Sequence, residues 1–146
     1  MQRLALMAAV LVLGGSPAAL AGEQADAARQ AELATDLKPF DAMESQGWEA
    51  PPPGAYYRTV AEGEPDAVQL QLKPGAYMIV AKCRCDQMDV TLVAPDASQP
   101  RPIRSSPQAA LFGLDVSAPG TYLVGVDMGA CQAKSCDFAV KAYRKK

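Results

Sequence analysis

The stretch that decides the fold runs Val68-Gln69-Leu70-Gln71-Leu72-Lys73-Pro74-Gly75-Ala76-Tyr77-Met78-Ile79-Val80. In its first part apolar residues alternate with glutamines, so one side of an extended chain is apolar and the other wet, which is the period of a β-strand with one buried face. Lys73-Pro74-Gly75 interrupts the pattern. Proline presets one φ and glycine supplies a positive φ beside it, which suits the centre of a type II turn. The device recurs, because Pro119-Gly120-Thr121-Tyr122-Leu123-Val124-Gly125 echoes Pro74-Gly75-Ala76-Tyr77-Met78-Ile79-Val80. The echo predicts two similar hairpins. Their inward rows, Tyr77, Ile79 and Ala81 in one and Tyr122, Val124 and Val126 in the other, are expected to form the core.

Outward from this stretch the period-two pattern predicts further strands over Tyr56 to Ala61, Asp89 to Ala94, Leu111 to Val116 and Phe138 to Tyr143. The first echo strand is expected to run from Ala76 to Cys83, and the second from Thr121 to Met128. Turn chemistry separates them at Pro95-Asp96, at the proline-rich segment Gln99 to Pro107, at Ala118-Pro119-Gly120 and at Gly129. Short strands at this spacing, with no helix-length pattern between them, exclude parallel crossovers and predict an all-β fold: an antiparallel, jelly-roll-like β-sandwich.

What precedes the sandwich reads differently. Met1 to Ala21 carries one early cation, Arg3, then an apolar run from Leu4 to Leu13, then small residues closing on Ala19-Leu20-Ala21. That is the layout of a cleavable signal peptide, and the apolar run is too short for a membrane span. Residues 22–54 then form an extension. Glu23 to Leu37 is rich in alanine and glutamate with Leu33 and Leu37 four apart, and Lys38-Pro39 ends the pattern, so a short helix is predicted. Phe40 to Gly54, with Trp48 and Pro51-Pro52-Pro53, reads as an extended linker carrying one aromatic anchor. Residues 55–146 are the sandwich.

Composition narrows the chemistry. Without the leader, thirteen basic side chains face sixteen acidic ones, and the only basic cluster is the tail Arg144-Lys145-Lys146, read as solvated. No nucleic-acid partner is indicated. The chain has no histidine, which removes Ser-His-Asp and Cys-His catalysis and the commonest metal ligand. Asp86, Asp89, Asp115 and Asp127 lie near strand ends, without the spacing of a calcium loop. Cys83, Cys85, Cys131 and Cys136 all lie in the exported part, and an even count there reads first as disulfides. An extended i, i+2 pair sits near the upper limit of disulfide Cα separation, so geometry favours bridges from Cys83 and Cys85 across to Cys131 and Cys136. A thiolate site for copper or zinc, with Met78, Met88 and Met128 nearby, is the alternative.

The run Tyr56-Tyr57-Arg58, then Pro74-Gly75-Ala76-Tyr77-Met78-Ile79-Val80-Ala81-Lys82-Cys83, then Cys85-Asp86 and Asp89-Val90-Thr91-Leu92, resembles the bacterial pre-peptidase C-terminal type of β-sandwich domain. Gly120-Thr121-Tyr122-Leu123-Val124-Gly125-Val126 with Cys131 and Cys136 is similar to the closing strands of its periplasmic members, which carry a cysteine pair in each of two loops. The resemblance covers about residues 55–146. It implies a jelly-roll-like sandwich, a non-catalytic accessory or binding role, and local disulfides, so the cysteine pairing stays open between the two arrangements. The first cysteines are closer together than in the family, and the strand Asp89-Val90-Thr91-Leu92 is a reduced form of its ligand strand. The expected function is a disulfide-stabilised, non-enzymatic module of the periplasm or exterior that needs no cofactor. It would bind a protein or small ligand of the cell envelope, with Trp48, Asp86 and Asp89 as candidate contacts and no membrane span once the leader is removed. Protein recovered from an exporting host is expected to begin at Gly22, as read by intact mass and N-terminal sequencing; recovery of chains retaining residues 1–21 would count against the leader.

Overall fold

The computed structural model describes residues 17–131 and 134–146; most of the expected leader lies outside them. A helix, α1 (Pro17–Leu37), leads into a 3₁₀ helix (Lys38–Gln46) and nine strands: β1 (Trp48–Glu49), β2 (Ala55–Ala61), β3 (Asp66–Leu72), β4 (Gly75–Cys83), β5 (Met88–Val93), β6 (Arg101–Ser106), β7 (Ala109–Val116), β8 (Gly120–Met128) and β9 (Ser135–Lys145). All strand pairs are antiparallel. One sheet has β9 and β4 at its centre, β7 on one edge, and β1 and β2 in tandem along the other; the second has the order β3-β8-β5-β6. The antiparallel β-sandwich expected from the alternating pattern is therefore what the chain forms.

The Pro-Gly echo has a different meaning from the one predicted. Neither copy turns a hairpin. The chain leaves β3 in one sheet and enters β4 in the other, and later returns from β7 to β8. Each Pro-Gly is a corner between layers, and each is locked by the tyrosine that follows. The Tyr77 hydroxyl donates to the Lys73 carbonyl at 3.0 Å and accepts from the Lys73 N–H at 3.2 Å, and the Tyr122 hydroxyl donates to the Ala118 carbonyl at 3.0 Å. Both are tyrosine corners of the kind that recur in β-sandwiches. The glycines have steric work there: a Cβ on Gly120 would meet Pro95 Cγ at 2.7 Å, and one on Gly75 would meet Arg144 Nε at 3.1 Å. Their φ values, +156° and +150°, differ from the value near +80° of a type II turn.

Two further readings change. Gln99 to Pro107 is not all turn, because Arg101–Ser106 is the edge strand β6, with Pro102 opposite Thr91 beside a register shift. An edge position tolerates proline, since the missing N–H faces away from the ladder. Phe40 to Gly54 is not an extended linker, because the 3₁₀ helix and β1 occupy most of it. A tight turn, with the Gly54 N–H donating to the Pro51 carbonyl at 2.9 Å, brings the chain into β2.

Two apolar clusters result. Between the sheets lie the predicted rows Tyr77, Ile79, Ala81 and Tyr122, Val124, Val126, joined by Phe138, Val140 and Ala142 of β9. On the outer face of the β9 sheet a second cluster joins Leu33 and Leu37 of α1 to Val80, Ala139 and Tyr143, with Trp48 and Met43 at its margin. The helix thus lies on the sandwich, Leu33 and Leu37 supplying what its alanines lack. Ion pairs fix its edge: Arg29 Nε lies 2.8 Å from the buried Asp137 carboxylate, and Arg84 reaches Glu32 at 3.3 Å and Asp36 at 3.1 Å. Asp137 also accepts from Thr59 Oγ1 at 2.7 Å, so the buried charge is both paired and hydrogen-bonded, the condition under which burial is tolerated. Leu33→Ala is expected to lower unfolding free energy by about 2–5 kcal/mol, as deletion of a fully buried leucine does. Tyr77→Phe is expected to cost about 1 kcal/mol for its corner hydrogen bond. Urea titration of both variants checks these values.

Candidate functional site

The ladders sort the loops into two ends. Tyr77 lies opposite Arg144, and Gly75 opposite Val116, so both tyrosine corners share one end with the close of β9. Cys83 lies opposite Phe138, and an isolated bridge joins Cys85 to Cys131, so all four cysteines lie at the other.

At the cysteine end the bridges are Cys83–Cys85 and Cys131–Cys136, each with a Cα separation of 5.4 Å. The bridges favoured on geometry, running across between the pairs, do not form, and the local arrangement implied by the resemblance does. The argument from extended spacing fails because β4 ends at Cys83. The chain bends at Arg84 and Asp86, on either side of Cys85, and the bent backbone sets the Cα separation within the usual disulfide range. With the four sulfurs in bridges, the copper-or-zinc reading loses its thiolate ligands. Among the described residues no group of three or more Cys, Asp or Glu is placed to hold a metal.

The three predicted contact residues are not brought together. Asp86 is exposed at the cysteine end, its N–H donating to the Ala130 carbonyl at 2.9 Å. Asp89 is exposed on the outer face of β5, opposite Asp127 of β8. Trp48 lies at the tyrosine end, opposite Lys145 in the β1–β9 ladder, with Lys145 Nζ 5.0 Å from its ring centroid. Its ring packs on the second cluster, so it covers the sheet.

The concavity of interest is one that sequence reasoning missed. At the tyrosine end the margins of β2 and β3 stand apart, while toward the cysteine end Arg58 and Asp66 approach across them at 3.8 Å. The gap opens into a mouth of about 310 Å³. Its floor includes Leu70, Leu72 and Tyr77, whose inward positions belong to the main core. Tyr56 and Ala142 form the wall from the β9 sheet, and Pro51 and Pro52 form a rim. Gln71, Lys73, Glu49 and Arg144 supply the polar groups. A cleft of this size with an apolar floor and a few convergent polar side chains is a common form of small-ligand site.

Arg144 was read as part of a solvated tail, and the structure corrects this. The tail is the end of β9, in which Phe138, Val140, Ala142 and Arg144 occupy alternate positions, so the core row ends on a cation. The guanidinium is half-buried over Gly75, with Nη2 donating to the Pro74 carbonyl at 2.9 Å. Lys145 donates to the Gln46 carbonyl, and the Lys146 N–H to the Gly47 carbonyl. The signal was present in the sequence, as the period-two row of the final strand carried on to Arg144.

No family model matches the chain, and no curated protein matches it. Solved structures resemble it in strand arrangement. PliG of Aeromonas hydrophila, a periplasmic inhibitor of g-type lysozyme, is similar at 19% identity over 60% of this chain and 83% of its own, with a TM-score of 0.43. CBM4 is similar at 15% identity over 68% and 79%, with a TM-score of 0.41, and a family 29 carbohydrate binding module at 10% over 67% and 77%, with a TM-score of 0.36. At such identities and scores the likeness does not bear on a ligand for this chain.

Behind the mouth, on the outer face of the same sheet, a polar clamp holds the 3₁₀ helix to β9. Asp41 accepts from Lys141 Nζ at 2.5 Å and from the Tyr143 hydroxyl at 2.8 Å. The Lys141 hydrogen bond, with smaller help from Tyr143 and against the effect of burial, holds the Asp41 carboxyl below its ordinary 3.8. Burial first, then the bond to Asp41, pushes the Tyr143 phenol up. A depressed carboxyl stabilises the fold above its unfolded value and loses that contribution as pH falls through the folded value. The raised phenol contributes below its unfolded value and loses that contribution as pH rises toward the folded one. Asp41→Asn is therefore expected to flatten the acid limb of the stability profile below pH 3.8, checked by thermal melts from pH 2 to pH 7; an unchanged acid limb would rule the clamp out as its source.

Proposed function

We propose that the chain is an exported, non-catalytic binding module of the periplasm or cell exterior, with the mouth between β2 and β3 as its ligand seat. The observation that carries this reading is the mouth itself: an apolar floor with Tyr56, proline at the rim, and a half-buried arginine at its edge. Export is supported by the leader-like Met1 to Ala21 and by two disulfides, which persist in oxidising compartments. Among the described residues no helix is long and apolar enough to cross a membrane. A non-catalytic role is supported by the lack of histidine and by the accessory role that the resemblance to pre-peptidase C-terminal domains implies.

The floor of the mouth is made of core residues locked by a tyrosine corner, so the seat is held rigid before a ligand arrives. Binding there forgoes much of the ordering cost that a flexible loop would impose. Amide chemical-shift mapping of labelled protein against cellobiose, chitobiose, short peptides and aromatic acids tests the reading. Perturbations are expected to gather on Tyr56, Leu70 to Lys73, Tyr77 and Arg144, and to disappear in a folded Tyr56→Ala variant. Perturbations confined to the cysteine end or the outer sheet faces, or none at millimolar concentrations, would overturn it.

A further inference from the structure

Among the described residues three arginines are half-buried: Arg29, Arg84 and Arg144. Arg29 faces the Asp137 carboxylate, and Arg84 faces Glu32 and Asp36. Arg144 differs. Among the described residues its polar contact is the Pro74 carbonyl, and no carboxylate lies in ion-pair reach. One carbonyl engages one of the five donors of a guanidinium and leaves its charge uncompensated. The mouth that Arg144 borders also carries Lys73, against one anion, Glu49.

Resting on the mouth as the ligand seat, we infer that its ligand carries a carboxylate attached to a flat or branched apolar group, the acid paired with Arg144 and the apolar part lying against Leu70, Leu72 and Tyr56. A half-buried guanidinium without a carboxylate of its own is the partner a ligand carboxylate fits best, because the planar fork matches two carboxylate oxygens and the site is partly screened from water. The Pro74 carbonyl holds Arg144, and the bare Cα of Gly75 gives it the room to lie flat. The apolar part has a floor of leucine and tyrosine at hand. Two sources share this chemistry, a small organic acid and the C-terminus of a peptide ending in an apolar residue.

Titration of the full mature chain with benzoate, benzyl alcohol, N-acetyl-Ala-Phe and N-acetyl-Ala-Phe amide, followed by chemical shifts, separates the outcomes. Both acids are expected to move the mouth amides, and both neutral analogues to bind about tenfold or more weakly, as loss of a hydrogen bond to a charged group implies. Arg144→Gln should bring the acids down to the level of the neutral compounds, Arg144→Lys should recover part of the difference, and Glu49→Gln, at an exposed position, should tighten the acids several-fold. Tighter binding of the peptide acid than of benzoate assigns a peptide C-terminus, and the reverse order a small acid. If acids and neutral analogues bind the mouth alike, the carboxylate inference is overturned while the seat stands. If none of the four moves the mouth amides although another probe does, the inference is likewise overturned; if no probe does, the seat fails with it.

Discussion

The burial of β9 on both faces is the constraint on which the rest of the structure depends. Most strands of a sandwich show one face to the core and one to water, and β3, with its exposed Gln69 and Gln71, is of that kind. In β9 alternate residues serve two clusters: Phe138, Val140 and Ala142 pack between the sheets, while Ala139 and Tyr143 pack under α1. The strand also carries the ladders to β1, β2 and β4. Its ends take up the polar tasks, with the buried Asp137 receiving Thr59 and Arg29, and Arg144 closing the core row at the mouth. Helix and sandwich are therefore one packed unit whose shared wall is β9 with Val80 of β4 beside it.

The disulfides do less of this holding than their expected cross-linked form would have done. Bridges spanning about 50 residues would each contribute roughly 4 kcal/mol in the chain-entropy model, whereas closing loops as short as Cys83–Cys85 and Cys131–Cys136 removes far less freedom from the unfolded chain. Their effect is local. They fix the shape of two adjoining loops, tied across by the Cys85–Cys131 bridge of the ladder, and leave the joining of the sheets to the apolar core and the two tyrosine corners. Covalent rigidity lies at one end of the sandwich, and the concave mouth lies at the other.

Much of the architecture was legible because it rests on period-two alternation, which the sequence displays openly in Val68 to Leu72 and in both echo strands. The echo itself was legible as a repeat but misread as hairpins, since a Pro-Gly pair specifies a backbone bend and not the sheet in which the next strand will pair. β6 was hidden by Pro100, Pro102 and Pro107, which argue against a central strand and are neutral toward an edge. The cysteine pairing turned on one local departure from extended backbone after Cys83, to which residue spacing is blind. The mouth was invisible for another reason: Tyr56, Leu72, Tyr77 and Arg144 come from distant parts of the chain, and their meeting is a property of how β2, β3 and β9 are stacked. Trp48, the residue that composition singled out, packs against the outer cluster, and Arg144, which composition assigned to a solvated tail, borders the mouth.

The place of β9 in the strand order has a bearing on how the molecule is made. It follows in sequence every strand it supports, and β1 and β2 pair with no other strand. A chain in which β9 is not yet in place can pair β3 with β8 and β4 with β7, yet it has no ladder for the first two strands and only part of the surface, Val80 of β4, that receives the helix. The fold therefore closes only once β9 is in place, and until then the chain stays open enough to be threaded through a translocation pore, the route that the proposed export would require.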